Sequence, residues 1–150
     1  MKPLMTGLML AALLGGCASG SKLSGTEKLA LHREHAGAPV NSFRYFGSLT
    51  GWTPLGDTAL AVWTRPSEAY LLELTGPCQD LDFAPAIGIT NHMGQVSTRF
   101  DDVLVHTRSM PGPRMPCRIQ TIRPLDVKAL RASQKEMREA AAVEREAGTR

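Results

Sequence analysis

The chain has 150 residues, enough for one domain with a buried core, and 43% of them are hydrophobic. Its 17 Lys and Arg against 14 Asp and Glu give a formal charge of +3, spread along the chain without a basic block. That dispersal, with no nucleic-acid-binding motif, excludes nucleic acid as a partner.

The N-terminus carries an address. Lys2 supplies a positive charge, Leu4 to Leu14 an apolar run, and Gly15-Gly16 a pair of small residues before Cys17. This is the order of a secretory signal. The run of about 11 residues falls well short of the roughly 20 a membrane-spanning helix needs. The ending Leu14-Gly15-Gly16-Cys17 resembles the lipobox of bacterial lipoproteins. That resemblance implies cleavage before Cys17, a diacylglyceryl group on its thiol and N-acylation of the new terminus. An ordinary signal peptide cut near Ala18 is the alternative. Two or more acyl chains, at about 0.8 kcal/mol per buried methylene, anchor stably where one does not. By the same resemblance Ala18, standing where a sorting Asp would otherwise retain the protein, implies an outer-membrane lipoprotein of the cell envelope facing the periplasm.

With residues 1–16 removed as signal peptide, 17–25 form a lipidated tether of small residues that behaves as flexible coil. Residues 26–130 form the β-rich domain, and 131–150 the outer part of a C-terminal helix with its tail. Thr26 is expected to cap a short helix over Glu27 to Ala36, closed by Gly37 in left-handed geometry. Leu29 and Ala36 mark its apolar side, and Pro39 ends it.

From Val40 to Ile122 the signals are β. Phe43, Tyr45 and Phe46 are followed by Trp52 and Leu55. Thr58 to Thr64 and Ala69 to Leu74 read as two strands joined at Arg65-Pro66-Ser67-Glu68, where Pro occupies its favoured turn position. The first of these is apolar on both faces, which suits a central strand covered on both sides or part of a small closed barrel. In the second, Tyr70, Leu72 and Leu74 share a face. Ile87 to Thr90, Gln95 to Phe100 and Val103 to Thr107 are shorter candidates, with Asn91-His92-Met93-Gly94 as a turn. Met110 to Pro116, with three prolines and a glycine, is expected to be an exposed loop before a strand at Cys117 to Ile122.

Pro124 is expected to open the last helix and Asp126 to cap it. Val127, Leu130, Met137 and Ala141 recur at helical spacing, with Gln134 interrupting, so the inner half is expected to pack on the sheet. Beyond Met137 the composition is that of a solvated helix fraying toward Gly148.

Cys17 takes lipid in this reading, leaving Cys78 and Cys117 as an even pair in an oxidising compartment. Their spacing favours a structural disulfide over a redox or metal-binding pair. A bridge closing this loop is worth about 4 kcal/mol on the chain-entropy model.

Trp52, the Tyr70-Leu71-Leu72 strand, Cys78 with Leu81, Cys117-Arg118-Ile119 and Ile122-Arg123-Pro124-Leu125-Asp126 resemble the pattern of an uncharacterised domain-of-unknown-function family of exported proteobacterial proteins. The resemblance covers roughly residues 26–130. It implies a compact β domain with the disulfide, and brings no activity, substrate or cofactor.

Chemistry is sparse. His32 and His35, three apart on the first helix, are close enough to share a metal ion, but no third ligand is near and an exposed pair is usually solvated. Asp101, Asp102 and His106 suggest acid–base work, which His92 joins only through tertiary structure. On one strand Asp102 and His106 would share a face about 13 Å apart, too far for a hydrogen bond. Serine-nucleophile, phosphate-loop and dinucleotide motifs are absent. Two features point to interaction instead. Arg108, Arg114, Arg118 and Arg123 surround the Pro-rich loop and suit a basic rim for anionic envelope polymers. Lys128, Arg131, Lys135 and Arg138 form a basic stripe on the last helix, beside an acidic one of Glu136, Glu139 and Glu146. A salt-bridged solvated helix is the plain reading of those stripes, and docking onto a partner is the active one.

The expectation is therefore a mainly β (α+β) domain: a small antiparallel sheet or barrel with one disulfide and a C-terminal helix. No catalytic residue, metal or cofactor is expected. The preferred function is a non-enzymatic binding or scaffolding module, held to the membrane by its N-terminal lipid and docking another envelope protein or an anionic envelope polymer. The alternative is a small periplasmic hydrolytic enzyme using His92, Asp101 and His106.

Overall fold

The structure, a computed structural model, describes residues 22–108, 112 and 115–148. The expected signal peptide, Cys17 and most of the expected tether fall outside the described residues, as do Arg114 and part of the Pro-rich loop.

Helix α1 (Gly25–Glu34) leads into β1 (Ser42–Arg44), β2 (Gly51–Pro54), β3 (Ala59–Arg65), β4 (Glu68–Leu74), a short 3₁₀ turn (Leu81–Phe83), β5 (Ala86–Ile89), β6 (Gln95–Ser97), β7 (Asp102–His106), β8 (Cys117–Leu125) and α2 (Val127–Gly148). Every strand pairing is antiparallel. Six strands in the order β2-β3-β4-β8-β7-β5 form a curled half-barrel, and β1-β6 form a separate two-stranded ribbon.

Strand β3 lies between two cores. Its apolar residues on both faces are buried: Leu60 and Val62 on one side, Ala59 and Ala61 on the other. Leu60 and Val62 point into the concave core with Leu72, Leu74, Val103, Val105, Ile119 and Ile122, and the ribbon adds Phe43 and Val96. Ala59 and Ala61 face a second core with Leu71, Leu125, Leu29 of α1 and Val127 and Leu130 of α2. Small residues on the convex side let α1 lie close. Gly25 makes the nearest approach, since a Cβ there would stand 2.7 Å from Gly56 Cα, so only glycine fits.

The nine-residue β8 is the spine of the fold. Along one edge it pairs with β4 from Leu125↔Ala69 to Ile119↔Leu74. Two stretches, residues 36–40 and 99–103, share its other edge. Cys117 and Arg118 pair with β7. The Ile119 carbonyl accepts from Arg99 N at 2.8 Å, Ile122 O from Val40 N at 2.8 Å, and Pro124 O from Gly37 N at 2.8 Å. Arg123 adds a fork, donating from Nε to Gly37 O at 2.8 Å and from Nη2 to Ala36 O at 3.2 Å. The disulfide Cys78–Cys117, with Cα atoms 5.7 Å apart, fastens the start of this strand to the loop after β4.

Several local expectations give way to tertiary structure. The cap of α1 is Ser24, not Thr26: Ser24 Oγ accepts from Glu27 N at 3.3 Å and Glu27 Oε2 accepts from Ser24 N at 2.7 Å, a reciprocal capping box. Gly37 does not close the helix in left-handed geometry, because its N–H is drawn to Pro124 O instead. Pro124 does not open α2 but lies within β8 opposite Tyr70. Strand β6 stops at Ser97, and Arg99 turns the chain at a φ of 66°. Asp126 does cap α2, its Oδ1 accepting from Ala129 N at 3.0 Å. The inner half of α2 is not sheet-packed throughout. Among its described residues Val127 and Leu130 are buried, while Met137 is already 40% exposed.

Candidate functional site

The three residues of the hydrolytic alternative are not brought together. Asp101 is buried and its carboxylate is occupied, Oδ1 by Thr90 Oγ1 at 2.9 Å and Oδ2 by Ser97 N at 2.7 Å. It locks the end of β5 to the β6–β7 connection. His92 is exposed in the turn before β6. His106 is exposed at the far end of β7, with Nε2 above Gly88, 3.4 Å from where a Cβ would stand. No hydrogen bond joins any two of them among the described residues. Asp102 serves Arg118, whose Nε lies 2.9 Å from its Oδ1.

The two helix histidines also part. His32 is 2% exposed, against the expectation of a solvated pair, because α1 turns it toward the sheet beside Leu29. Its Nδ1 lies 2.7 Å from Lys28 O, while Nε2 finds no partner. Burial holds this imidazole below its ordinary value. His35 instead faces α2, its Nε2 3.0 Å from Ser133 Oγ. Among the described residues no three metal-ligating side chains gather.

The arginine rim is largely spent on the fold. Arg118 donates from Nη1 to Phe100 O at 2.6 Å and to Arg99 O at 3.0 Å, besides its ion pair, and Arg123 holds the Ala36–Gly37 backbone. Arg108 is exposed, and Arg114 is outside the described residues.

The basic stripe of α2 remains. The sequence makes this helix from a capped start, strong helix formers and no internal Gly or Pro before Gly148. Lys128, Arg131, Lys135 and Arg138 are all exposed. Arg131 Nη2 donates to Pro66 O at 2.7 Å, tying the helix base to the β3–β4 turn. Lys135 meets Glu139 at 3.7 Å, whereas Lys128 and Arg138 meet no carboxylate among the described residues. A ladder of salt bridges therefore does not account for the stripe. Met137 and Val143 are exposed on the same helix, Val143 at 65%. At 1.5 Å per residue the element is roughly 33 Å long. No described helix is long and apolar enough to cross a membrane.

A family model described as a family of unknown function (DUF6491) matches residues 1–141, a span that takes in the N-terminal segment, the half-barrel and most of α2. No curated protein and no solved structure matches the chain.

Proposed function

The chain belongs to the family of unknown function DUF6491, and we propose that it acts as a lipid-anchored, non-enzymatic binding or scaffolding module on the periplasmic face of the outer membrane. One observation carries the binding part of this reading: α2 is 22 residues long, yet its buried residues are Val127 and Leu130, in its first turn. A helix with so little packing draws scant support from the domain, and helices of modest length are marginal in water on their own. A partner that takes the outer helix supplies the missing contact. Lys128, Arg131, Lys135 and Arg138 call for acidic groups on that partner. Lipid anchoring is supported by the Leu14-Gly15-Gly16-Cys17 segment and location by the residue after it. No hydrogen bond joins any two of His92, Asp101 and His106 among the described residues, so no observation favours the hydrolytic alternative.

The test reverses the four charges to Glu in the intact protein, which is then extracted from its envelope in mild detergent. Loss of a co-purifying envelope component, with Cys17 still acylated and the fold intact, is the expected result. Unchanged co-purification would exclude the stripe as the docking site. Intact mass spectrometry reports the anchor in the same sample: a chain that begins after Cys17 and carries no lipid would overturn the anchoring.

A further inference from the structure

Between the β1–β6 ribbon and the spine strand there is an open cleft of about 480 Å³, inside the range of roughly 300–1,000 Å³ typical of small-molecule sites. It forms because the edge of β8 away from β4 is bonded at Ile119 and again at Ile122, leaving Gln120 and Thr121 as its floor. Asn41 and Ser42 stand on one wall, Ser97 on the other, and Arg99 and Phe100 at the mouth.

The walls are mixed, with Pro39 and Val40 lining the cleft beside the polar groups. The side chains of Asn41, Ser42, Ser97 and Arg99 make no hydrogen bond or ion pair among the described residues. They present neutral amide and hydroxyl groups, each able to donate or accept, with a single cation. No carboxylate lines the cleft. Phe100 is 81% exposed beside them, an aromatic face that contributes nothing to either core. Arg99 is held in its left-handed conformation from both sides: its N–H donates to Ile119 O at 2.8 Å and its carbonyl accepts from Arg118 Nη1 at 3.0 Å. The mouth is thus fixed to the spine, so the polar groups and the ring are presented in a set arrangement.

We infer that this cleft is a carbohydrate-binding site for a glycan segment with N-acetylated hexosamine units. A pyranose offers hydroxyls on its rim for Asn41, Ser42, Ser97 and the amide nitrogen of Gln120, whose Oε1 accepts from Thr75 Oγ1 at 3.4 Å, and a C–H face for the Phe100 ring. The acetamido group finds an amide partner in Asn41 or Gln120. An isolated phosphate is poorly matched by one arginine among neutral groups. An extended peptide strand finds too short an unpaired edge at Gln120–Thr121 to add to the sheet. The choice of hexosamine rests on the envelope location proposed above; the cleft itself is independent of α2.

The probe is chitotetraose, the linear tetramer of N-acetylglucosamine, titrated into the intact protein in detergent micelles and followed by backbone amide shifts. Shifts confined to residues 40–42, 97–100 and 120–121 are expected. Phe100→Ala and the double variant Asn41→Ala/Ser97→Ala are each expected to weaken binding by about tenfold or more with unchanged melting temperature, since Phe100 carries no core contact. Absence of shifts at millimolar sugar, shifts elsewhere, or affinity indifferent to Phe100→Ala would each overturn the site. Equal shifts with inorganic phosphate at the same concentration would assign it to anions instead. None of these outcomes depends on the charge reversal in α2, so the two readings fail separately.

Discussion

The ring of Phe43 lies on the ring of Tyr70, centroids 4.5 Å apart and planes inclined by 16°. This stack joins the ribbon to the main sheet, because Phe43 belongs to β1 and Tyr70 to β4, and it closes the concave core from above. Burial, with the Glu68 carboxylate that accepts the phenol proton at 3.0 Å, holds the Tyr70 hydroxyl above its ordinary pKa. Phe43→Ala is expected to destabilise the domain by about 3–5 kcal/mol, measured as a lowered urea midpoint with an unchanged slope. A cost below about 1 kcal/mol, the size of a surface change, would show that the ribbon is not part of the core.

His32 makes stability depend on pH. Burial lowers its pKa from 6.5, the Lys28 carbonyl opposes that, and the charges of His35 and Lys28 add to the lowering. Below 6.5 the unfolded chain therefore binds more protons than the folded one, so stability falls as pH drops through 6.5 toward the folded value and is fully present above it. Urea midpoints measured across that interval should slope downward with acid in the native protein. In His32→Leu the slope should flatten; an identical slope would assign the dependence elsewhere.

The disulfide restrains the unfolded chain and pins the spine. Replacing both residues, Cys78→Ala with Cys117→Ala, is expected to cost about 4 kcal/mol. Equilibrium unfolding of the native and reduced proteins checks it, and a native protein indifferent to reductant would contradict it. Hydrogen exchange should rise first at Cys117 and Arg118, where β8 holds β7 by a short pairing.

Asp101 has an architectural role that a substitution separates from a catalytic one. Asp101→Ala leaves the Ser97 N–H and the Thr90 hydroxyl without their acceptor, and is expected to cost about 1–3 kcal/mol. Amide exchange should accelerate at residues 97–102 while α1 and β3 stay protected. Protection unchanged at Ser97 would refute the role.

Local chemistry was legible in the sequence, and partnership at a distance was not. The β3–β4 turn could be read from Pro66, and the cap of α2 from Asp126, because each is decided within a few residues. The two-faced burial of β3 could be read too, since Ala59-Leu60-Ala61-Val62 leaves no polar face. The pairing of Cys78 with Cys117 followed from counting. The capping box of α1 was present as Ser24-x-x-Glu27, although Thr26 offered a rival start. By contrast, Pro124 looks like a helix opener until Gly37 supplies a donor to its carbonyl, 87 positions earlier in the chain. His32 looks solvated until the sheet lies beneath α1. The cleft leaves no mark in the sequence, because Asn41, Ser97 and Gln120 meet only through the spine, and no spacing along the chain announces them.

The strand on which the fold leans is also the last strand to be synthesised. Until Cys117–Leu125 has left the ribosome, β4 has β3 alone for company, Val40 and Gly37 have no carbonyls to bond, and Cys78 has no sulfur to meet. Contacts of such long sequence separation close late and slowly. The β2–β3–β4 meander can pair as it emerges, but the half-barrel closes only when its late-arriving spine, β8, joins β4 to β7.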